Sequence, residues 1–189
     1  MKIAICGSTC AGKSTLCHAL VARLKEQGVR AEYIGNVTRR MPFEPNNLDV
    51  SLPAQYYVIF RHMMEEAAAE VRNDLDVIVC DRSPLDYYYY LIESVGQTNL
   101  LRQADFHIIE SLKSCISCWL LTYDRYYIID SDQVVYQHDG KRPETTILRD
   151  AVNARFKKFF NSTAFNIPHQ WISGAVDKRV THILKDLGI

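Results

Sequence analysis

The sequence predicts a three-layer α/β domain, with a mainly parallel five-stranded sheet, helices on both faces and a small lid. Short apolar runs such as Lys2-Ile3-Ala4-Ile5-Cys6 and Val77-Ile78-Val79-Cys80 have the near-continuous character of strands covered on both faces. Between them lie longer stretches whose apolar residues recur at three- and four-residue steps, the period of a helix. At 189 residues, 48% apolar and 23% charged, the chain can fill one core, so a single domain over 1–189 is expected.

The first strand, over 2–6, runs into Gly7-Ser8-Thr9-Cys10-Ala11-Gly12-Lys13-Ser14-Thr15, a G-x4-G-K-S sequence. The spacing has a mechanism. Gly7 and Gly12 let the backbone turn so that successive N–H groups face phosphates, Lys13 reaches the outer phosphates and the Ser14 hydroxyl ligates Mg²⁺. Residues 14–24 then continue at helical spacing, which presents a phosphate with the free N–H groups of a helix start. The whole stretch Gly7, Ser8, Thr9, Cys10, Ala11, Gly12, Lys13, Ser14 and Thr15 is the candidate site for ATP with Mg²⁺, and the fold it implies is that of a P-loop NTPase.

A second strand is expected over 31–35. Past its end, where a parallel sheet gathers ligands, come Asn36, Arg39 and Arg40, candidates for an acceptor's phosphate or other anionic group; a solvated arginine pair is the plainer reading. Ser51 and Pro53 open a long helix running to about residue 73. Its Tyr56, Tyr57, Phe60 and Met64 share one side and read mostly as core, with Tyr57 the candidate for an acceptor pocket.

The third strand, 76–80, leads directly into Asp81-Arg82-Ser83. A carboxylate there reaches both Mg²⁺ and an attacking hydroxyl, and Arg82 neutralises charge on the transferred group. Asp81 as a mere cap of the following helix is the competing reading. That helix carries Asp86, a second candidate for acceptor contact, and Tyr87-Tyr88-Tyr89-Tyr90, which cannot all share one face.

A helix over 100–113 and a fourth strand over 116–121 are expected next. Residues 123–146 then form a lid-like excursion in which Asp139-Gly140 marks a hairpin, and Arg125, Lys141 and Arg142 are candidates to stabilise the transferred phosphoryl group. A helix over 147–161 places Leu148, Val152, Phe156 and Phe159 at core spacing. From His138 to Lys158 there are six Lys/Arg against three Asp/Glu, a local excess able to follow a nucleic-acid backbone or simply to solvate a helix face. A strand over 167–172 and a helix over 176–187 close the chain, with 171–176 a candidate border for a base.

Composition excludes several classes. The 22 basic and 22 acidic residues cancel, so no global field draws the protein to nucleic acid or membrane. Only Lys2 precedes the first apolar run, and no stretch reaches the length of a membrane span, which predicts a cytoplasmic protein. The six cysteines are dispersed, and the Cys115-Ile-Ser-Cys118 spacing has no second pair or histidine partner, so buried thiols are expected rather than a zinc site.

With G-S-T-C-A-G-K-S-T at Gly7 to Thr15 and C-D-R-S-P-L-D at Cys80 to Asp86, the chain resembles P-loop kinases of the nucleoside and nucleotide kinase group, thymidylate and deoxynucleoside kinases among them. The resemblance spans most of the chain. It implies transfer of the γ-phosphoryl of ATP to a hydroxyl or phosphate of a nucleoside, nucleotide or modified base, with Lys13, Asp81 and Arg82 as catalytic residues and a basic lid. Many deoxynucleoside kinases have a carboxylate base after the second strand, where this chain has Asn36; the base assignment moves to Asp81. The chain also looks like phage-type kinases that phosphorylate 5-hydroxymethyluracil in DNA. Implied partners are a nucleoside or nucleotide acceptor, or modified DNA, with no membrane and a homodimer as a further arrangement. A nucleotide-hydrolysing switch is the alternative class, disfavoured by the absence of a guanine-selecting Asn-Lys-x-Asp sequence.

Overall fold

The computed structural model describes residues 1–42, 52–96, 103–130, 147–162 and 166–189. Five strands, β1 (Lys2–Cys6), β2 (Ala31–Ile34), β3 (Val77–Asp81), β4 (Arg125–Ile129) and β5 (His169–Ile172), form one sheet in the order β2-β3-β1-β4-β5. All four pairings are parallel. The helices are α1 (Lys13–Glu26), α2 (Leu52–Glu70), α3 (Pro84–Gly96), α4 (Gln103–Leu120), α5 (Ile147–Phe160) and α6 (Val176–Leu187), with a 3₁₀ turn at Val37–Arg39.

Strand side chains alternate between two cores, as the period of two requires. Ile3 and Ile5 of β1, Val77 and Val79 of β3 and Tyr127 and Ile129 of β4 pack against Leu16, Leu20 and Leu24 of α1 and Ile183 of α6. Ala4, Cys6, Ile78, Cys80, Tyr126 and Ile128 face the other way, onto α2, α3, α4 and α5. Both faces are therefore covered, the expected three-layer arrangement. Because the sheet is parallel, the segments after β1, β2 and β3 emerge at one edge. The register Ile5↔Asp81 brings the end of β3 beside the start of the phosphate loop.

Several expectations are corrected. Residues 116–121 are not a strand: Ile116 and Leu120 continue the buried stripe of Ile109 and Leu112, so α4 runs to Leu120. The fourth strand is instead Arg125–Ile129, whose last four residues are buried, within the stretch read from sequence as irregular excursion. The face of α2 is also rotated from expectation. Its buried residues are Ala54, Gln55, Val58, Ile59, His62, Met63, Glu66 and Ala69, while Tyr57, Phe60 and Met64 are exposed. Cys6, Cys17 and Cys80 are buried as expected, but Cys115 and Cys118 are exposed on α4. The Ser51 cap, the Asp139-Gly140 hairpin and the lid residues 131–146, with Lys141 and Arg142, lie outside the described residues.

Candidate active site

The phosphate loop is shaped by its glycines. Gly7 has φ 137°, and a Cβ there would stand 2.8 Å from the Ile129 carbonyl oxygen of β4. Gly12, at φ 80°, ends the loop and hands the chain to α1 at Lys13, while Cys10 adopts φ 59° between them. The Lys13 ammonium is buried and donates to the Ser8 carbonyl at 2.6 Å, so it spans the loop from within.

Both flanking layers grip this loop. From α3, the buried Asp86 carboxylate accepts the Gly7 N–H at 3.3 Å and the Ser83 N–H at 2.9 Å. The Tyr90 hydroxyl accepts the Thr9 N–H at 2.8 Å and shares a hydrogen bond with Thr9 Oγ1. From α6, Arg179 donates to the Ala11 carbonyl at 3.3 Å and to the Gly174 carbonyl at 2.7 Å. Asp86 therefore ties the frame together, its carboxylate wholly buried.

Asp81 closes the site from β3. Its Oδ2 accepts the Ser14 hydroxyl at 2.5 Å and the Tyr33 hydroxyl at 3.0 Å. Among the described residues Oδ1 receives no hydrogen bond, which leaves it open to a ligand or a proton. Burial, reinforced by the Asp81 charge, pushes the Tyr33 hydroxyl well above its ordinary pKa, so it remains a donor to this carboxylate. Gly35 makes the approach possible, since a Cβ there would stand 2.5 Å from the Tyr33 hydroxyl and 2.7 Å from Asp81 Cβ.

Next to Asp81, Arg82 adopts φ 85°. Its guanidinium lies over the rings of Tyr87 and Tyr90, 5.7 and 5.4 Å from their centroids, and 3.7 Å from Asp86. Although burial opposes the charge, Tyr90, Asp86 and their neighbours hold its pKa above the ordinary arginine value. Among the described residues, buried Arg82 Nη1 and Ser8 Oγ find no hydrogen-bond partner. A phosphate in the cavity that Arg82 lines, rich in acceptor oxygens, is a ligand that would satisfy Arg82 Nη1.

A cavity of about 240 Å³ brings together Cys10, Ala11, Gly12, Lys13, Ser14, Thr15, Asn36, Arg39, Asp81 and Arg82, with Thr38 and Tyr87 completing the wall. A second cavity, of about 610 Å³, shares Asn36 and Arg39 and continues over β2 and α2 past Arg40, Arg61 and Arg72. Arg40 donates to the Gly35 carbonyl and pairs with Glu65 at 2.6 Å, so it belongs to this outer groove. Other candidates are elsewhere. Tyr57 lines neither cavity. Arg125, level with Ile3 at the amino end of β4, pairs with Asp186 and faces away from the phosphate loop's edge of the sheet. Sequence reasoning missed Tyr33, Gly35, Tyr90 and Arg179, which act through contacts across 46 to 168 residues of chain and leave no local motif, or only a glycine in the case of Gly35.

The donors fit a divalent cation of the magnesium type. Ser14 and Asp81 offer a hydroxyl and a carboxylate side by side, and Mg²⁺ is held by one or two such oxygens together with phosphate and water rather than by a full protein cage.

Fold and loop together define a P-loop phosphate-binding domain. The chain belongs to the AAA domain family, whose model matches residues 2–179. No curated protein matches the sequence. Among solved structures it is similar to the deoxyadenosine kinase of M. mycoides. With products dCMP and a flexible dCDP bound, that protein aligns with TM-score 0.69 and 17% identity over 100% of this chain and 99% of its own. With dATP bound the values are 0.69 and 18%, over 100% of both chains. With dCTP they are 0.68 and 18%, over 100% and 99%. At that identity the likeness establishes the shared fold.

Proposed function

We propose that the chain is an ATP-dependent phosphotransferase, a single P-loop kinase domain that moves the γ-phosphoryl group to a hydroxyl or phosphate of a nucleoside, nucleotide or modified base. The observation that carries this reading is the placement of Asp81. One oxygen of its carboxylate is held by Ser14 and Tyr33, the other receives no hydrogen bond among the described residues, and Asp81 lines the cavity beside the phosphate loop. A hydrolytic switch has no need of Asn36 and Arg39 lining both the cavity of that carboxylate and a second groove beside it.

In this reading the loop from Gly7 to Thr15 and Lys13 hold the donor phosphates, and Ser14 and Asp81 hold Mg²⁺, which when bound neutralises phosphate charge. Asp81 Oδ1 accepts the proton of an acceptor hydroxyl as the new O–P bond forms and the bond to the leaving ADP breaks. Arg82 supplies positive charge to the transferred group. The dATP, dCTP and dCMP named with the M. mycoides structures support an acceptor of nucleoside size. On the basic helix Arg155 pairs with Glu93 and Lys157 with Asp130, which offsets two of its charges. A free nucleoside or nucleotide is favoured accordingly.

The test is to incubate the purified protein with γ-labelled ATP and a panel of nucleosides, nucleoside monophosphates and DNA containing 5-hydroxymethyluracil. Acceptor-dependent label transfer is expected. Release of inorganic phosphate alone, indifferent to every acceptor, would replace the kinase by the hydrolytic switch.

A further inference from the structure

We infer that His62, on α2 and outside the cavity, is a positioning residue that fixes Arg82 for phosphoryl transfer. The inference rests on the kinase reading for the role of Arg82 but on geometry alone for the link between the two residues.

Arg82 is held in the left-handed region, a conformation that costs a non-glycine residue free energy unless its surroundings impose it. Two backbone contacts do so. The Arg82 N–H donates to the Ile5 carbonyl at 3.0 Å, and its carbonyl lies 3.2 Å from His62 Nε2. That same nitrogen is 3.0 Å from Glu66 Oε1. Both partners are acceptors, so Nε2 carries the proton, and its N–H is shared between the Glu66 carboxylate and the Arg82 carbonyl. His62 also sets its ring edge-on to Tyr87 at 5.3 Å, and Tyr87 is one of the two rings beneath the Arg82 guanidinium. One side chain thus fixes both the backbone and part of the shelf under the side chain.

His62 is itself anchored. It is fully buried, as is Glu66, which pairs with Lys2 at 3.0 Å, accepts the Trp119 indole N–H at 2.7 Å and accepts the Tyr123 hydroxyl. The cluster runs along α2 from the amino end of β1 to the carboxyl end of β3. Burying these polar groups in an otherwise apolar layer costs desolvation, and the end of the chain of contacts is the residue after Asp81. A group 1 Å out of place at a reacting centre loses about 10²-fold in rate, which is the scale of effect expected when Arg82 is released.

Two variants test this. His62→Met removes the donor while filling the space, and His62→Gln restores an N–H near the position of Nε2. Turnover, KM for ATP, melting temperature and a crystal structure are obtained for each. The Met variant should lose about 10²-fold in kcat with KM changed little, and Arg82 should leave its left-handed conformation. The Gln variant should keep both. If Arg82 keeps its conformation in the Met variant and turnover is native, His62 only packs α2. If both variants lose turnover in proportion to their melting temperatures with Arg82 unmoved, the effect is stability and the inference fails. Should the wild type transfer phosphate to no acceptor, the kinase reading falls, while the backbone of Arg82 in the two structures still decides the positioning role.

Discussion

The Ser14 hydroxyl and the Asp81 carboxylate meet at 2.5 Å although 67 residues separate them in the chain. Parallel pairing of β1 with β3 makes the meeting unavoidable. Once Ile5 is level with Asp81, the helix that starts after the loop delivers its first hydroxyl onto the end of the neighbouring strand. The pair sets a hydroxyl and a carboxylate side by side at the foot of the phosphate loop.

Replacing Asp81 by Asn keeps the shape of the pair and deletes its basicity. Turnover should fall by about 10²–10⁴-fold, the usual worth of a positioned general base. ATP affinity, measured calorimetrically on the same preparation, separates two roles. Affinity that holds while turnover drops makes Asp81 the base; a drop in Mg²⁺-dependent affinity makes it a metal ligand as well. If neither moves, Asp81 is no more than a cap for α3.

Lys13→Ala should abolish measurable transfer, and Ser14→Ala should chiefly raise the Mg²⁺ concentration needed. Loss of one such electrostatic contact removes about 2.7–4 kcal/mol of transition-state stabilisation. The buried ammonium on the Ser8 carbonyl adds a second effect for Lys13: the loop loses an internal tie, so backbone amide exchange at Ser8 and Thr9 should quicken. Full activity in the Lys13 variant would remove the loop from the mechanism.

Gly35→Ala tests the seat of the carboxylate. The added methyl would sit 2.5 Å from the Tyr33 hydroxyl and 2.7 Å from Asp81 Cβ, so β2 or β3 has to shift. Overpacking of this kind costs about 1–3 kcal/mol, and turnover should fall further than stability because the Asp81 carboxylate moves. Combining it with Tyr33→Phe removes the hydroxyl contact but leaves the ring Cζ at 2.8 Å and Asp81 Cβ at 2.7 Å, so only a small part of the melting temperature should return. A Gly35→Ala protein with native stability and turnover would show that the strand ends yield freely.

Much of this site was legible in the chain. Gly7 to Thr15 and Asp81-Arg82 are local patterns whose spacing reports their chemistry, and their placement at one edge follows from parallel strands. What failed was phase. The run Ile116 to Leu121 is short and apolar, and such a run suits strand and helix equally until Ile109 and Leu112 fix the four-residue step. On α2 the polar Gln55, His62 and Glu66 occupy buried positions, so an apolar stripe drawn through Tyr57, Phe60 and Met64 picked the solvent side. Glu66 is tolerated there because Lys2, Trp119 and Tyr123 reach it from other elements. No pattern within α2 could announce them. Arg179 at Ala11 is a similar case, a contact between residues 168 apart.

The buried Glu66 also predicts how stability depends on pH. Burial alone would raise its pKa, but the hydrogen bond and charge of His62, with Lys2 and Tyr123, outweigh it and hold the carboxyl below its ordinary value. A carboxyl depressed in the folded state stabilises the fold fully above the unfolded value, about 4.3. That contribution is lost as the pH falls through the folded value, because the native state must then take up the proton it had excluded. Glu66→Gln cannot titrate, so the difference in unfolding free energy between wild type and variant should be constant near neutrality and shrink below about pH 4.3. Urea unfolding at a series of pH values measures that difference directly. Lys2→Met supplies the complementary case: it leaves the carboxylate buried without its ammonium, a loss typically of about 3–5 kcal/mol, and it should be less severe when Glu66→Gln is present as well. A pH-independent difference for Glu66→Gln, together with additive costs for the two substitutions, would mean that the pair is not coupled and that Glu66 is ionised at no advantage to the fold.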